Sequence, residues 1–125
     1  MKRSRMKRNA KRRSPEGARA MKHFMDRFAG CPCMMCEHKR PLNPDPHHIV
    51  FRKSKLHDVE YNLLRVCMYC HARCHGQTVV LHGKRLPPYT KEEILRAKRI
   101  WDPGYWDLGK LEELNGLPGP PRPLF

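Results

Sequence analysis

Two Cys-x2-Cys pairs, Cys33/Cys36 and Cys67/Cys70, stand with residues 37–66 between them. Each pair can turn two thiolates toward one point. Four thiolates close a tetrahedral shell around zinc and leave no position for water or substrate. The spacing therefore predicts a structural Zn²⁺ site, a scaffold and not a catalyst. Cys31 is an alternative to Cys33, both being within reach of Cys36, although the two-residue spacing suits the turn better. Cys74 reads as a small buried apolar residue.

Histidines are interleaved with these turns. His47 and His48 are adjacent, Asn62 follows, and His71 and His75 come just past the second turn. On a helix, residues four apart share a face. On a strand, neighbours point to opposite sides, so His47 and His48 cannot play the same role. One imidazole to bind a cation and another to deprotonate water is what one-metal hydrolysis of a phosphodiester requires, and neutral imidazole suits both tasks. His23, His38, His57 and His82 read as surface or internally satisfied residues. Met68 and Tyr69, inside the second turn, read as packing or cover for the zinc.

Taken in order, Cys33-x2-Cys36, His47-His48-Ile49, Asn62-Leu63-Leu64 and Val66-Cys67-x2-Cys70-His71-x3-His75 resemble the HNH nuclease motif in its zinc-containing form, over residues 31–76. The resemblance implies an α+β fold: a small zinc-stapled domain with a ββα-metal (His-Me finger) core and flanking helices. It implies a metal-dependent endonuclease that hydrolyses phosphodiester bonds of DNA. In that scheme His48 is the general base, and His47 and His71 ligate a catalytic divalent cation. Asn62 holds the loop and orients the His48 ring, while His75 contacts the phosphate or completes the metal shell. His47 stands where many members carry Asp. Such a nitrogen-rich site suits Mn²⁺, Ni²⁺ or Zn²⁺ better than Mg²⁺, which prefers oxygen. Arg52, just past the first strand, reads as a phosphate clamp. Free-standing proteins of this size resemble those of phages and bacteria, which points to DNA-processing partners there.

Charge supports a polyanionic partner. Lys and Arg number 26 against 12 Asp and Glu, a formal net charge of +14. A field of that sign attracts nucleic acid and says nothing about fold. Residues 1–14 form a basic arm carrying Arg3, Arg5, Lys7, Arg8, Lys11, Arg12 and Arg13, expected to be disordered until DNA, duplex or branched, neutralises it. Its contacts would go to phosphates, which position but do not specify. No apolar run approaches the roughly 20 residues that span a bilayer, and no apolar stretch follows the basic start as in a secretory signal. The expected setting is therefore cytoplasmic and reducing, where thiols remain free for metal. A non-catalytic zinc-finger module for nucleic acid is the competing reading. It needs the thiolates and the charge, but has no use for His47-His48, Asn62 and His71 at these spacings.

The elements that must position these groups are also legible. The 125 residues allow one domain with tails, and its thin aliphatic core calls for a staple. Ser14-Pro15-Glu16 starts a helix over 15–30, with Met21, Phe24, Met25 and Phe28 on one face and Gly30 at its end. Short strands are expected over 47–51 and 63–66, with a loop over 52–61 between them. A helical segment follows over 69–76. Thr90 and Glu93 form a capping box for a helix over 90–101 bearing Ile94, Leu95 and Ile100. Trp101, Tyr105 and Trp106 make an aromatic clasp within 77–107, and 108–125 is expected as a flexible tail.

Overall fold

The computed structural model describes residues 13–117. Among them the chain is α+β, with four α-helices and two separate two-stranded antiparallel sheets. Helix α1 (Pro15–Arg27) begins as its residues dictate: the Ser14 hydroxyl accepts from the Gly17 N–H, with Pro15 in the first turn. It buries Met21 and Phe24 and ends at Phe28, with Gly30 beyond at φ 76°. Arg3, Arg5, Lys7, Arg8, Lys11 and Arg12 of the basic arm lie outside the described residues.

Strands β1 (His47–His48) and β2 (Leu63–Leu64) are shorter than the apolar runs that suggested them. They pair antiparallel, with His47 opposite Leu64 and His48 opposite Leu63. The ladder stops at Asn62: the Ile49 N–H still reaches the Asn62 carbonyl at 2.9 Å, but the Asn62 N–H turns back to the Val59 carbonyl and the Val50 N–H goes to Asn62 Oδ1 at 2.7 Å. The segment between the strands is built of two 3₁₀ turns, Lys55–His57 and Glu60–Asn62, and not an open loop. Helix α2 (Met68–Cys74) follows directly, with Cys67 as its N-cap.

A second ribbon was not foreseen. Strands β3 (Val79–Leu81) and β4 (Lys84–Leu86) form a hairpin turning at His82-Gly83. Both turn residues have positive φ, 51° and 77°, as a two-residue hairpin of right-handed twist requires. Helix α3 (Lys91–Trp101) carries the complete Thr90–Glu93 capping box. Its buried face differs from the expected stripe, because Ile94 and Lys98 are buried whereas Ile100 is exposed. The expected tail also needs correction. Residues Leu108–Asn115 form helix α4, started by the Asp107 carboxylate accepting from the Lys110 N–H and anchored by the fully buried Leu111. The Pro- and Gly-rich composition that suggested a tail belongs mainly to residues 118–125, which lie outside the described residues.

One core gathers Phe24, Met34, Ile49, Leu63, Leu64, Ile94 and Leu111, with Trp101 and Trp106 partly buried against it. A buried ion network ties three elements over the site. Lys98 Nζ donates to the carbonyls of Glu60 and Leu63 at 2.7 and 2.8 Å and to Asp102 at 2.8 Å. Arg27 bridges Glu60 and Asp102 with N–O distances of 2.7–3.0 Å and stacks on the Tyr105 ring. All three Lys98 protons have acceptors, which is what makes a fully buried ammonium tolerable. Burial still lowers its pKa to about 8, against the pull of Asp102. The network clamps the turn that delivers Asn62.

Candidate functional site

Four sulfurs converge. The Sγ atoms of Cys33, Cys36, Cys67 and Cys70 all lie within 4.8 Å of one another, and three of these residues are buried. Zn–S bonds of about 2.3 Å put tetrahedral sulfurs about 3.8 Å apart, so the cluster can hold a metal ion such as zinc. Its construction follows from backbone pairing. Met34 N–H donates to the Arg65 carbonyl at 2.9 Å, and Leu42 pairs with Cys67 across an isolated bridge. The first cysteine turn is thereby laid against the chain leading into the second. Cys31 and Cys74 stand outside the cluster.

The surroundings favour negative charge on Cys33 and disfavour it on Cys36 and Cys70. Cys33 Sγ receives a hydrogen bond from the Cys70 thiol, which outweighs burial and brings its pKa down to about 4, assisted by backbone N–H groups of Cys36, Cys67 and Met35. Cys70, donating to that thiolate and buried, is pushed well up. A shared cation replaces this sharing of protons by holding every sulfur as thiolate. The Tyr89 hydroxyl sits 3.1 Å from Cys70 Sγ and accepts from Arg73 Nη1 at 2.9 Å. Tyr89 therefore belongs to the outer shell of this site, which no spacing rule in the sequence reveals. Met68 and Tyr69 are not buried packing residues: they are 65% and 37% exposed, because the first turn of α2 shows that face to solvent. Cys74 is buried and its thiol pushed up to about 12 by burial, an inert packing residue.

The second convergence is of imidazoles. His47 from β1, His71 from α2 and His75 at the C-cap of α2 place a ring nitrogen each within 4.8 Å of the others. Ring centroids are 5.2 Å apart for His47–His71, 5.0 Å for His47–His75 and 4.6 Å for His71–His75. The His71 and His75 Nε2 atoms are 3.0 Å apart. Helical spacing explains the α2 pair, and pairing of β1 with β2 brings His47 over it.

His47 supplies the test of fit. It is 2% exposed, yet neither ring nitrogen has a hydrogen-bond partner. An unsatisfied buried polar group costs about 1–3 kcal/mol, and a cation at one ring lone pair removes part of that cost. Burial, then the neighbouring His75, His71 and His48, lowers the His47 pKa to about 3. Burial also lowers His71 and His75. Three imidazoles held neutral with converging nitrogens can bind a divalent cation of imidazole-tolerant type. The Asn43 amide lies against His71 Nδ1. The atom facing Nδ1 is the amide nitrogen, which donates, so a cation on Nε2 requires the amide to turn and present its oxygen to Nδ1–H.

His48 points the other way from His47, as strand geometry requires. Its Nε2 is 2.8 Å from Oδ1 of the buried Asp58. Asn62, expected to orient that ring, instead makes its side-chain hydrogen bonds to backbone. Its amide spans Val50 N–H, the Val50 carbonyl and the His57 carbonyl at 2.7, 3.1 and 3.1 Å. It holds the loop; Asp58 holds the ring. Arg52 also departs from expectation. Its guanidinium closes on Asp58 at 2.7 and 2.8 Å in place of projecting as a free phosphate clamp. Arg13, the last residue of the basic arm, lies 3.6 Å from Asp45, an exposed pair of little energetic weight. His57 is buried with Nε2 on the Leu114 carbonyl at 2.9 Å.

No family model, curated protein or solved structure matches the chain. Among the described residues no helix is long and apolar enough to cross a membrane.

Proposed function

We propose that this protein is a metal-dependent endonuclease of the HNH type, in which residues 31–76 form a ββα-metal core that hydrolyses phosphodiester bonds of DNA. The observation that carries the reading is one dipeptide serving two sites. His47 completes a three-imidazole cluster with His71 and His75, while His48, its neighbour, turns to the other side of the strand with its ring held by the buried Asp58. A packing role for either histidine explains neither the orphaned nitrogens of His47 nor the carboxylate set against His48.

In this mechanism His47, His71 and His75 hold a divalent cation such as Mn²⁺, Ni²⁺ or Zn²⁺, with Mg²⁺ less suited to a nitrogen shell. When bound, the cation supplies charge stabilisation for the scissile phosphate and the departing 3′ oxygen. His48 takes a proton from water, whose oxygen then bonds to phosphorus as the bond to the 3′ oxygen breaks. Asn62 keeps the 48–50 and 57 backbones together so that the base stays in register. Zinc at the four cysteines fixes the scaffold. Basic residues, including Arg13 and the arm preceding it, draw the DNA backbone to the site.

The test is nicking of supercoiled plasmid by the full chain across a panel of divalent cations. His48→Ala should lose about 10²–10⁴-fold in single-turnover rate, the usual cost of removing a general base, with DNA affinity retained. His71→Ala should instead be partly rescued by higher cation concentration. Undiminished cleavage by His48→Ala, or none by the parent with any cation, leaves the zinc-stapled DNA-binding module as the reading.

A further inference from the structure

The strands and histidines account for a base and a cation site, but not for a fully buried aspartate placed against the base. Asp58 lies in the 3₁₀ region between β1 and β2, and its side chain is wholly inaccessible to solvent. Oδ1 meets His48 Nε2 at 2.8 Å and Arg52 Nε at 2.7 Å, and Oδ2 meets Arg52 Nη2 at 2.8 Å. The carboxylate is backed by α1. A Cβ at Gly17 would come 3.0 Å from Asp58 Cβ, so the absence of a side chain there lets the first turn of the helix press on this residue. A buried charge needs strong reasons to persist, and a single salt bridge to Arg52 could be made at the surface without it.

We infer that Asp58, braced by Arg52, is the positioning residue that fixes the tautomer and orientation of His48 and thereby makes Nδ1 the basic atom. This rests on the nuclease reading above. The chemistry is simple. An ionised carboxylate only accepts hydrogen bonds, so the ring nitrogen facing it must carry hydrogen. Neutral imidazole with Nε2–H has its lone pair on Nδ1. That atom receives the proton of water while the oxygen attacks phosphorus and the bond to the 3′ oxygen breaks. The imidazolium formed then keeps its Nε2–H on a carboxylate already in place, with no reorganisation during the step. Arg52 occupies one acceptor direction on each Asp58 oxygen with two parallel N–H bonds, which locks the carboxylate plane. Arg52 thus acts through Asp58 on His48.

The inference is tested on the full, zinc-loaded chain, ¹⁵N-labelled, by long-range ¹H–¹⁵N correlation of the histidine rings. His48 is expected as the Nε2–H tautomer in the parent. Asp58→Asn, nearly the same shape, should shift the ring toward a tautomer mixture. The same variant should lower the single-turnover rate constant by about 10²-fold or more, with half-saturating DNA concentration and zinc content unchanged. Should Asp58→Asn fail to fold, the tautomer of the parent still decides. A parent ring with hydrogen on Nδ1, or an Asp58→Asn protein cutting within about threefold of the parent, overturns the assignment. A parent that shows Nε2–H but fails to cut DNA with any cation overturns the nuclease reading and with it the catalytic use of this pair. The two failures are therefore separable.

Discussion

Replacing Asn62 by alanine separates a scaffold role from a chemical one. The side chain is fully buried and makes three hydrogen bonds, to Val50 N–H, the Val50 carbonyl and the His57 carbonyl. Truncation leaves one buried donor and two buried acceptors without these bonds. At about 1–3 kcal/mol for each group left unsatisfied, the loss is at least about 3 kcal/mol if nothing relaxes. A water entering the vacated space could recover part of it, since the site is polar and offers three partners. Urea unfolding of zinc-loaded protein at pH 7 should therefore show Asn62→Ala destabilised by about 2–4 kcal/mol, with the m-value unchanged. That is a large fraction of the roughly 5–15 kcal/mol of a typical domain. Asn62→Asp should not rescue it, because a carboxylate can serve Val50 N–H but repels the two carbonyls. A loss below about 1 kcal/mol with the cleavage rate abolished would refute the reasoning and return Asn62 to the ring of His48.

Removal of the four-sulfur metal should unfold the chain. Cys67→Ser, or a strong chelator, should abolish zinc and the helical circular dichroism together, and retained structure without zinc would show the site to be dispensable. Lys98→Met should lower stability by about 2–4 kcal/mol, since it leaves the buried carbonyls of Glu60 and Leu63 without this donor while Asp102 keeps Arg27; a near-neutral change in thermal unfolding would contradict the clamp. For His47 the sign is fixed by its depressed folded pKa of about 3, below the unfolded value of about 6.5. The unfolded chain takes up the proton first, so stability falls as pH drops through 6.5. Without a cation at the histidines, the His47 contribution between pH 7.0 and 5.5 should be a loss of about 1.3 kcal/mol. His47→Leu should flatten that limb in urea titrations; an unchanged slope would mean the ring is not buried neutral.

Much of the local structure was legible because its causes are local. Ser14 and Thr90 cap α1 and α3 by reaching their own N–H groups three residues on. Asp107 carried the same signal for α4, with Leu111 one turn later, but proline and glycine nearby masked it. The hairpin at His82-Gly83 escaped because its strands are three residues each, too short for alternation to register. Lys98 reads as a solvent-facing residue of α3. Its burial depends on carbonyls that only the folded 60–63 turn presents.

The sequence by itself determined which groups can bind metal and which neighbours must diverge: two Cys-x2-Cys turns, His71 and His75 on one helical face, and His47 and His48 on opposite sides of a strand. Those are consequences of backbone periodicity and thiolate chemistry, carried within a few residues. Tertiary structure alone decided that His47 joins His71 and His75, that Tyr89 reaches Cys70, and that Asp58 rather than Asn62 meets His48. Each of these joins segments through packing and hydrogen bonds that depend on the whole core. Asp58 and Asn62 are only four residues apart, both polar and both buried. Which of them holds the ring is set by how the 3₁₀ turns aim their side chains, and no spacing rule contains that direction.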